Sequence, residues 1–338
     1  MRRLFAAMIA CFAALPMAAA AAAPDEHAET CVVEGLRSPD DGIVACGLIV
    51  QAEGSTPAMR LRALLVRAEI RRKLGDLDAA AHDCDEAIRL DPASGGAFEL
   101  RGRVRTDAKQ YEHALDDFDH AIRLNKDFAA AFAGRAATFA LMRQHRLAVR
   151  DYTEAVRLDP DSAKLRVERA EEYIRVRRID LAIDDHTAAI RIEPKVAEHR
   201  ASRGKLYMRN NAYDRAIADF DDAIRLEPRA AYYLDRGDAF SLKGDPRRAI
   251  ADYDEAIRLD RTLALAYNNR GVAWKHLGDL PRALVDFKTA VGLQPDLEVA
   301  VRHRDELREA ARVRVEQDRH VVSARNPWIA RRSLPSIP

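Results

Sequence analysis

A seven-residue motif returns along this chain at a nearly constant spacing. Asp85–Asp91 (DEAIRLD), Asp119–Asn125 (DHAIRLN), Thr153–Asp159 (TEAVRLD), Thr187–Glu193 (TAAIRIE) and Asp221–Glu227 (DDAIRLE) lie 34 residues apart. Asp254–Asp260 (DEAIRLD) and Lys288–Gln294 (KTAVGLQ) follow after 33 and 34. A unit of this size cannot bury its own apolar face, so such a period predicts identical pieces stacked side by side, each walled by its neighbours. Counting from Leu61 gives seven units, ending at Leu297.

Three places in the unit never exceed a methyl group. The eighth holds Ala68, Gly102, Ala136, Ala170, Gly204, Gly237 and Gly271; the twentieth begins with Ala80 and ends with Ala283; the twenty-seventh runs from Ala87 to Ala290. Side chains this small let two backbones come close, which predicts two tightly packed helices per unit. Larger groups fill the space between them: Phe118, Tyr152, Phe220, Tyr253 and Phe287 at one place, Leu90, Leu124, Leu158, Leu226, Leu259 and Leu293 at another. Leu74-Gly75-Asp76 and Leu277-Gly278-Asp279 read as turns within the unit, and Pro92, Pro160, Pro194, Pro228 and Pro295 close units, because proline cannot continue a helix. Only 6% of residues are aromatic, which favours helix over strand.

In this period and small-residue pattern the chain resembles the tetratricopeptide repeat family over residues 61–297. The resemblance implies an all-α fold: a right-handed superhelical α-solenoid of seven helix-turn-helix units, capped by helices at both ends, with a concave groove. It also implies a non-enzymatic scaffold that binds a peptide or a partner protein in that groove. In this phase the groove residues are Arg62, Glu69, Arg103, Glu171, Arg175, Lys205, Arg209, Asn268, Asn269 and Lys275. Two departures stand out. The aromatic expected early in the first helix is Phe98, Phe132, Tyr233 or Tyr267 in some units but Leu64, Arg166 or Arg200 in others, so the fourth and fifth units should be looser. The carboxylate clamp of some relatives needs Lys and Asn where this chain has Leu65 and Glu69, and only Asn269 matches the asparagine ladder of others.

Outside the repeats the chain changes character. Arg2 and Arg3 precede an apolar, alanine-rich stretch to Ala23, the pattern of a secretory signal peptide over residues 1–23; the alternative is an uncleaved membrane anchor. Residues 24–60 read as a degenerate capping half-repeat. Ser38-Pro39-Asp40-Asp41 starts a helix with a capping hydroxyl, a first-turn proline and acids at the positive helix end. In an oxidising compartment Cys31 and Cys46 would pair and staple this cap. Residues 298–318 continue as a C-terminal capping helix. Residues 319–338, with no acids, three prolines and Trp328, read as a disordered basic tail, able to touch an anionic surface or a partner. Export is the expectation, to the periplasm if the host is a diderm bacterium.

Chemistry is hard to find in this chain. There is no paired-histidine metal motif, no glycine-rich phosphate loop and no nucleophile elbow, so no catalytic, metal or cofactor residue is assigned. Cys84 stands where other units carry Phe118 or Tyr152 and reads as core. With 55 basic against 54 acidic side chains, the chain lacks the positive field that nucleic-acid binding requires. Membrane contact is left to the tail or an uncleaved signal. One arginine and one aspartate recur at fixed phase in every unit, from Arg67 and Asp83 to Arg270 and Asp286. They form either a structural ladder between helices or a charged groove for an anion, and the balanced counts favour the ladder. Two other roles stay open: an accessory subunit positioning substrate for an envelope hydrolase or protease, and a self-associating structural protein.

Overall fold

The computed structural model describes Cys31 and residues 38–325. The signal region, most of the segment before Ser38 and the tail from residue 326 lie outside the described residues. Within them the chain forms sixteen α-helices and no strand. It divides into two compact bodies at Leu181/Ala182, and each is described by itself.

In the first body, α1 (Pro39–Gln51) leads into α2 (Pro57–Leu74) and α3 (Leu77–Leu90). Then come α4 (Gly95–Asp107), α5 (Tyr111–Leu124), α6 (Ala129–Leu141), α7 (His145–Leu158), α8 (Ala163–Arg175) and the start of α9 (Ile179–Ile192). The second body continues with α10 (Ala197–Arg209), α11 (Tyr213–Leu226), α12 (Ala230–Leu242), α13 (Pro246–Leu259), α14 (Ala264–His276), α15 (Leu280–Leu293) and α16 (Glu298–Arg325). Even-numbered helices from α2 to α14 open a unit and odd-numbered ones close it. Within each body a first helix packs on its own second helix, as in α2 with α3 and α12 with α13, and the next first helix packs on that second helix, as in α3 with α4 and α13 with α14. First helices also touch one another, α2 with α4, α4 with α6, α10 with α12 and α12 with α14. They therefore share one face of each body.

The small places do what the sequence requires of them. Ala80, Ala87, Ala114, Ala121, Ala216, Ala223, Ala283 and Ala290 are fully buried. At Gly102 an added Cβ would sit 2.9 Å from the Phe118 ring, and at Gly271 2.7 Å from Phe287. Both are closer than carbon atoms tolerate, so these two phenylalanine rings need the glycine; in the third unit Ala136 and Tyr152 fit together, both buried. Where the ring is replaced by Cys84, the eighth place can be Ala68, and both are buried in the cluster around Leu64, Leu100 and Val104.

Capping is regular. Ser38, Thr56, Asp76, Ser94, Ser162, Asp245 and Asp279 each accept a hydrogen bond from a backbone N–H of the first turn, which satisfies a donor the helix itself cannot. Thr56 and Pro57 start α2 four residues before the first repeat. The turns inside units use one device throughout: a residue with left-handed backbone at Gly75, Lys109, Arg143, Arg177, Asn211, Gly244 and Gly278.

The ends are closed as a stack requires. Cys31 and Cys46 are joined by a disulfide with Cα atoms 4.9 Å apart, and both are buried with Ile49, Met59 and Ala63. At the other end α16 packs Leu307 with Phe287 and Ala283. This helix runs past the expected boundary at 318 to Arg325. The first obstacle to helix beyond it is Asn326-Pro327, and the residue before a proline is disfavoured in the α region.

Candidate interaction surfaces

The recurring arginines and aspartates decide which surface remains for a ligand. In Arg67–Asp83, Arg101–Asp117, Arg135–Asp151, Arg203–Asp219, Arg236–Asp252 and Arg270–Asp286 the guanidinium donates two N–H groups to one carboxylate. The distances run from 2.6 to 3.1 Å. Each arginine comes from a first helix and each aspartate from the second helix of the same unit. The remaining guanidinium nitrogen reaches back to the second helix of the preceding unit: Arg101 to Asp85 at 2.6 Å, Arg135 to Asp119, Arg203 to the Thr187 hydroxyl at 3.0 Å, Arg236 to Asp221 and Arg270 to Asp254 at 2.6 Å. The carboxylates of Asp83, Asp117, Asp151, Asp219, Asp252 and Asp286 are buried. Arginine suits this work because its planar fork holds two oxygens at once and still has a donor for a third group. These charges form a ladder that stitches three helices, and they are not available to an anionic ligand.

What is left on the first-helix face does not repeat. Of the ten residues read from the sequence as groove, Arg62, Glu171, Arg175 and Arg209 are exposed and take part in no ion pair. Lys205 lies 3.1 Å from Asp235, and Lys275 reaches Glu306 of α16 at 3.3 Å. Glu69 and Arg103 pair with each other at 3.1 Å, and Glu69 also accepts from Arg72. Burial opposes ionisation of Glu69, but the Arg72 bond and the charges of Arg103 and Lys73 outweigh it and hold its carboxyl below the usual range. Asn268 is buried, donates to Asn269 and lies 3.0 Å from His303 of α16, while Asn269 donates to Asp238. Six of the ten are therefore tied into contacts between neighbouring helices.

Sequence reasoning missed a set of acids on this face. Burial pushes the carboxyls of Glu99, Glu168, Asp235 and Asp238 above their ordinary range. Arg103 lies 3.8 Å from Glu99, with Arg72 and Lys164 also acting on it from farther away, and Asp238 accepts from Tyr253 and Asn269. The signal was present in the repeat phase. Glu99 stands where Asn268 stands in its unit, Glu168 and Asp235 where Asn269 stands, and Asp238 where Glu69 and Lys205 stand.

Two other groups carry potential chemistry. Cys84 is fully buried, and burial, with Asp83 beside it, pushes its thiol far above the usual range, so it stays protonated as a core side chain. His82, Asp83 and Glu86 bring possible ligand atoms within 4.8 Å of one another. Both Asp83 oxygens are already held by Arg67 and Arg71, which leaves a cation too few donors. Among the described residues no helix is long and apolar enough to cross a membrane.

A family model described as Tetratricopeptide repeat matches residues 65–131, 167–231, 201–262 and 234–298, more than half of the chain. No curated protein is significantly similar to it. Among solved structures it is similar to the C-terminal part of a TPR repeat-containing protein from Cytophaga hutchinsonii: TM-score 0.61, 18% identity, covering 71% of this chain and 98% of that one. It is also similar to yeast Tom70, with TM-score 0.51 and 17% identity over 89% of this chain and 67% of that one. At such identities the likeness is one of fold: helix pairs stacked as an α-solenoid.

Proposed function

Because this chain belongs to the tetratricopeptide repeat family, we propose that it is a non-enzymatic scaffold of the cell envelope, holding an extended peptide or a partner protein on the first-helix face. The observation that carries this reading is the consumption of the repeating charges. With the Arg–Asp ladder satisfied inside the stack, the side chains that remain on the first helices differ from unit to unit. A surface shaped for one partner varies in this way; a merely solvated face has no need to.

The ligand is polar. A buried acid whose counter-charge lies no closer than 3.8 Å, Glu99 beside Arg103, favours the amide and basic groups of a peptide, since an unmet carboxylate is costly to desolvate. Export follows from the basic and apolar start of the chain together with a disulfide in the cap, a bond that persists in oxidising compartments.

Mild crosslinking in the native host followed by purification tests the reading. One recurring partner, captured by the wild type and lost on Lys205→Glu with Arg209→Glu, supports it. Both positions are exposed, so the fold should tolerate the change to within about 0.5 kcal/mol. Arg89→Glu with Arg258→Glu, on second helices, should leave capture intact. Recovery of the chain alone would instead mark a self-associating protein, and a co-purified hydrolase would mark an accessory subunit.

A further inference from the structure

The first body carries a basic depression that the ladder does not use. Arg143, Arg146, Arg175 and Arg177 surround it, with Leu147 and Val176 between them, and it opens to solvent with a volume of about 570 Å³. It lies between the turn joining α6 to α7 and the turn leaving α8. All four arginines are exposed, and among the described residues none has an ion-pair or side-chain hydrogen-bond partner. The ladder arginines are held by aspartates; these four guanidiniums, two from turns, one from α7 and one from the end of α8, converge on one concavity instead. The Glu172 carboxylate on α8 is held by His145 at 2.8 Å.

The local sequence departs from the other units at this spot. Every other second helix has an acid at its cap or in its first turn: Asp76 and Asp78, Glu112, Asp180, Asp214, Asp245, Asp279. Only α7 has none. Its cap is Gln144, which makes no side-chain bond to the helix, and its first turn holds Arg146. A cation there opposes the helix dipole, and no side chain caps the first-turn N–H groups. An anion in the depression would resolve both.

We propose that this depression is a docking site for an acidic segment of a protein partner, separate from the first-helix face. The four guanidiniums come from two turns and two helices, and the partly buried Leu147 and Val176 that line the depression with them suit a chain that alternates carboxylates with apolar side chains. Guanidinium and carboxylate planes match in two-bonded pairs. A nucleic acid would need a broader positive field than a chain of formal charge +1 provides, and a flat anionic bilayer does not reach into a concavity.

The test uses the full chain and a short fluorescent peptide of glutamate and leucine, titrated at low and high salt. Two variants separate binding from folding. Arg143→Gly with Arg177→Gly places glycine where three other turns already have it, at Gly75, Gly244 and Gly278. Arg146→Glu restores a first-turn acid. Both should keep or raise the thermal midpoint and weaken the peptide by about tenfold or more, and added salt should weaken the wild type. Lys205→Glu with Arg209→Glu should leave peptide affinity unchanged, so this site and the first-helix reading fail independently. Wild-type indifference to the peptide, or unchanged affinity in both variants, would overturn the proposal. So would tighter binding to phosphatidylglycerol vesicles or to single-stranded DNA than to the peptide.

Discussion

Asp151 shows what one ladder residue holds together. It is buried, accepts two bonds from Arg135 at 2.6 and 3.1 Å, and takes a third from Arg150 at 3.1 Å. Replacing it with asparagine keeps the shape but leaves Arg135 partly desolvated with the exposed Asp119 as its remaining counter-charge. Breaking such a pair costs roughly 3 kcal/mol. Asp151→Asn should therefore lower the urea midpoint at unchanged slope and leave partner capture intact; an unchanged midpoint with lost capture would return the charge to a ligand role. His186 makes a prediction of the opposite chemical kind. It occupies the place filled by Tyr152 and Phe220, is buried, and its Nδ1 has no hydrogen-bond partner. Burial pulls its pKa from 6.5 to about 4, with the neighbouring His199 and Arg203 adding to the effect and Asp185 opposing it. The folded state refuses a proton that the unfolded chain accepts. Stability should be full above about pH 6.5, decline as pH falls toward 4, and stay at the lower level beneath it, a loss of about 3 kcal/mol. Urea titrations at pH 7 and pH 4.5 should show a smaller acid loss in His186→Phe than in the wild type.

At the scale of elements, the intra-unit turns are where local strain resides. Lys109 holds a left-handed backbone at φ 60° where Gly75 and Gly244 have 83° and 87°. For a residue with a Cβ this conformation costs about 1–2 kcal/mol, against about 0.4–1 kcal/mol of extra unfolded-chain entropy for glycine. The difference favours glycine. Lys109→Gly should raise the melting midpoint, by about 0.5–1 kcal/mol of stability, and calorimetry checks it. The helices themselves were legible in the sequence because their determinants are local and repeated: small residues at fixed phase, capping side chains, prolines between units. The left-handed turn was legible only where it is glycine, as at Gly75 and Gly278; Lys109, Arg143 and Arg177 take the same backbone because flanking helices impose it. The length of α16 was underestimated because Pro327, its natural stop, lies beyond the change in composition that suggested an end at 318. On the first-helix face, phase located the side chains. Which of them are spent, as Glu69 on Arg72 and Arg103 or Asn268 on His303, depends on contacts between units that no single repeat encodes.

The described residues share no single core. Their apolar side chains bury in separate clusters, around Leu100, Tyr152, Phe220 and Phe287 among others, each shared by neighbouring helices only. In such an array stability is close to a sum of unit and nearest-neighbour contributions, so damage at one end should stay there. The N-terminal cap is the place to ask. Its helix α1 leaves Val44 and Leu48 exposed and buries only Gly42, Cys46 and Ile49, little apolar area for an end helix. The Cys31–Cys46 bond closes a loop of 15 residues, which in the chain-entropy model stabilises by about 3 kcal/mol. Without it α1 should fray and expose the face of α2 that carries Met59 and Ala63. In Cys31→Ser with Cys46→Ser, amide exchange should therefore accelerate through α1 and α2, while α13, α14 and α15 keep wild-type protection. Uniform acceleration across all helices would mean that the array unfolds as one cooperative unit and that the cap is coupled to every repeat. Unchanged exchange in α1 would mean that its packing on α2 suffices without the staple.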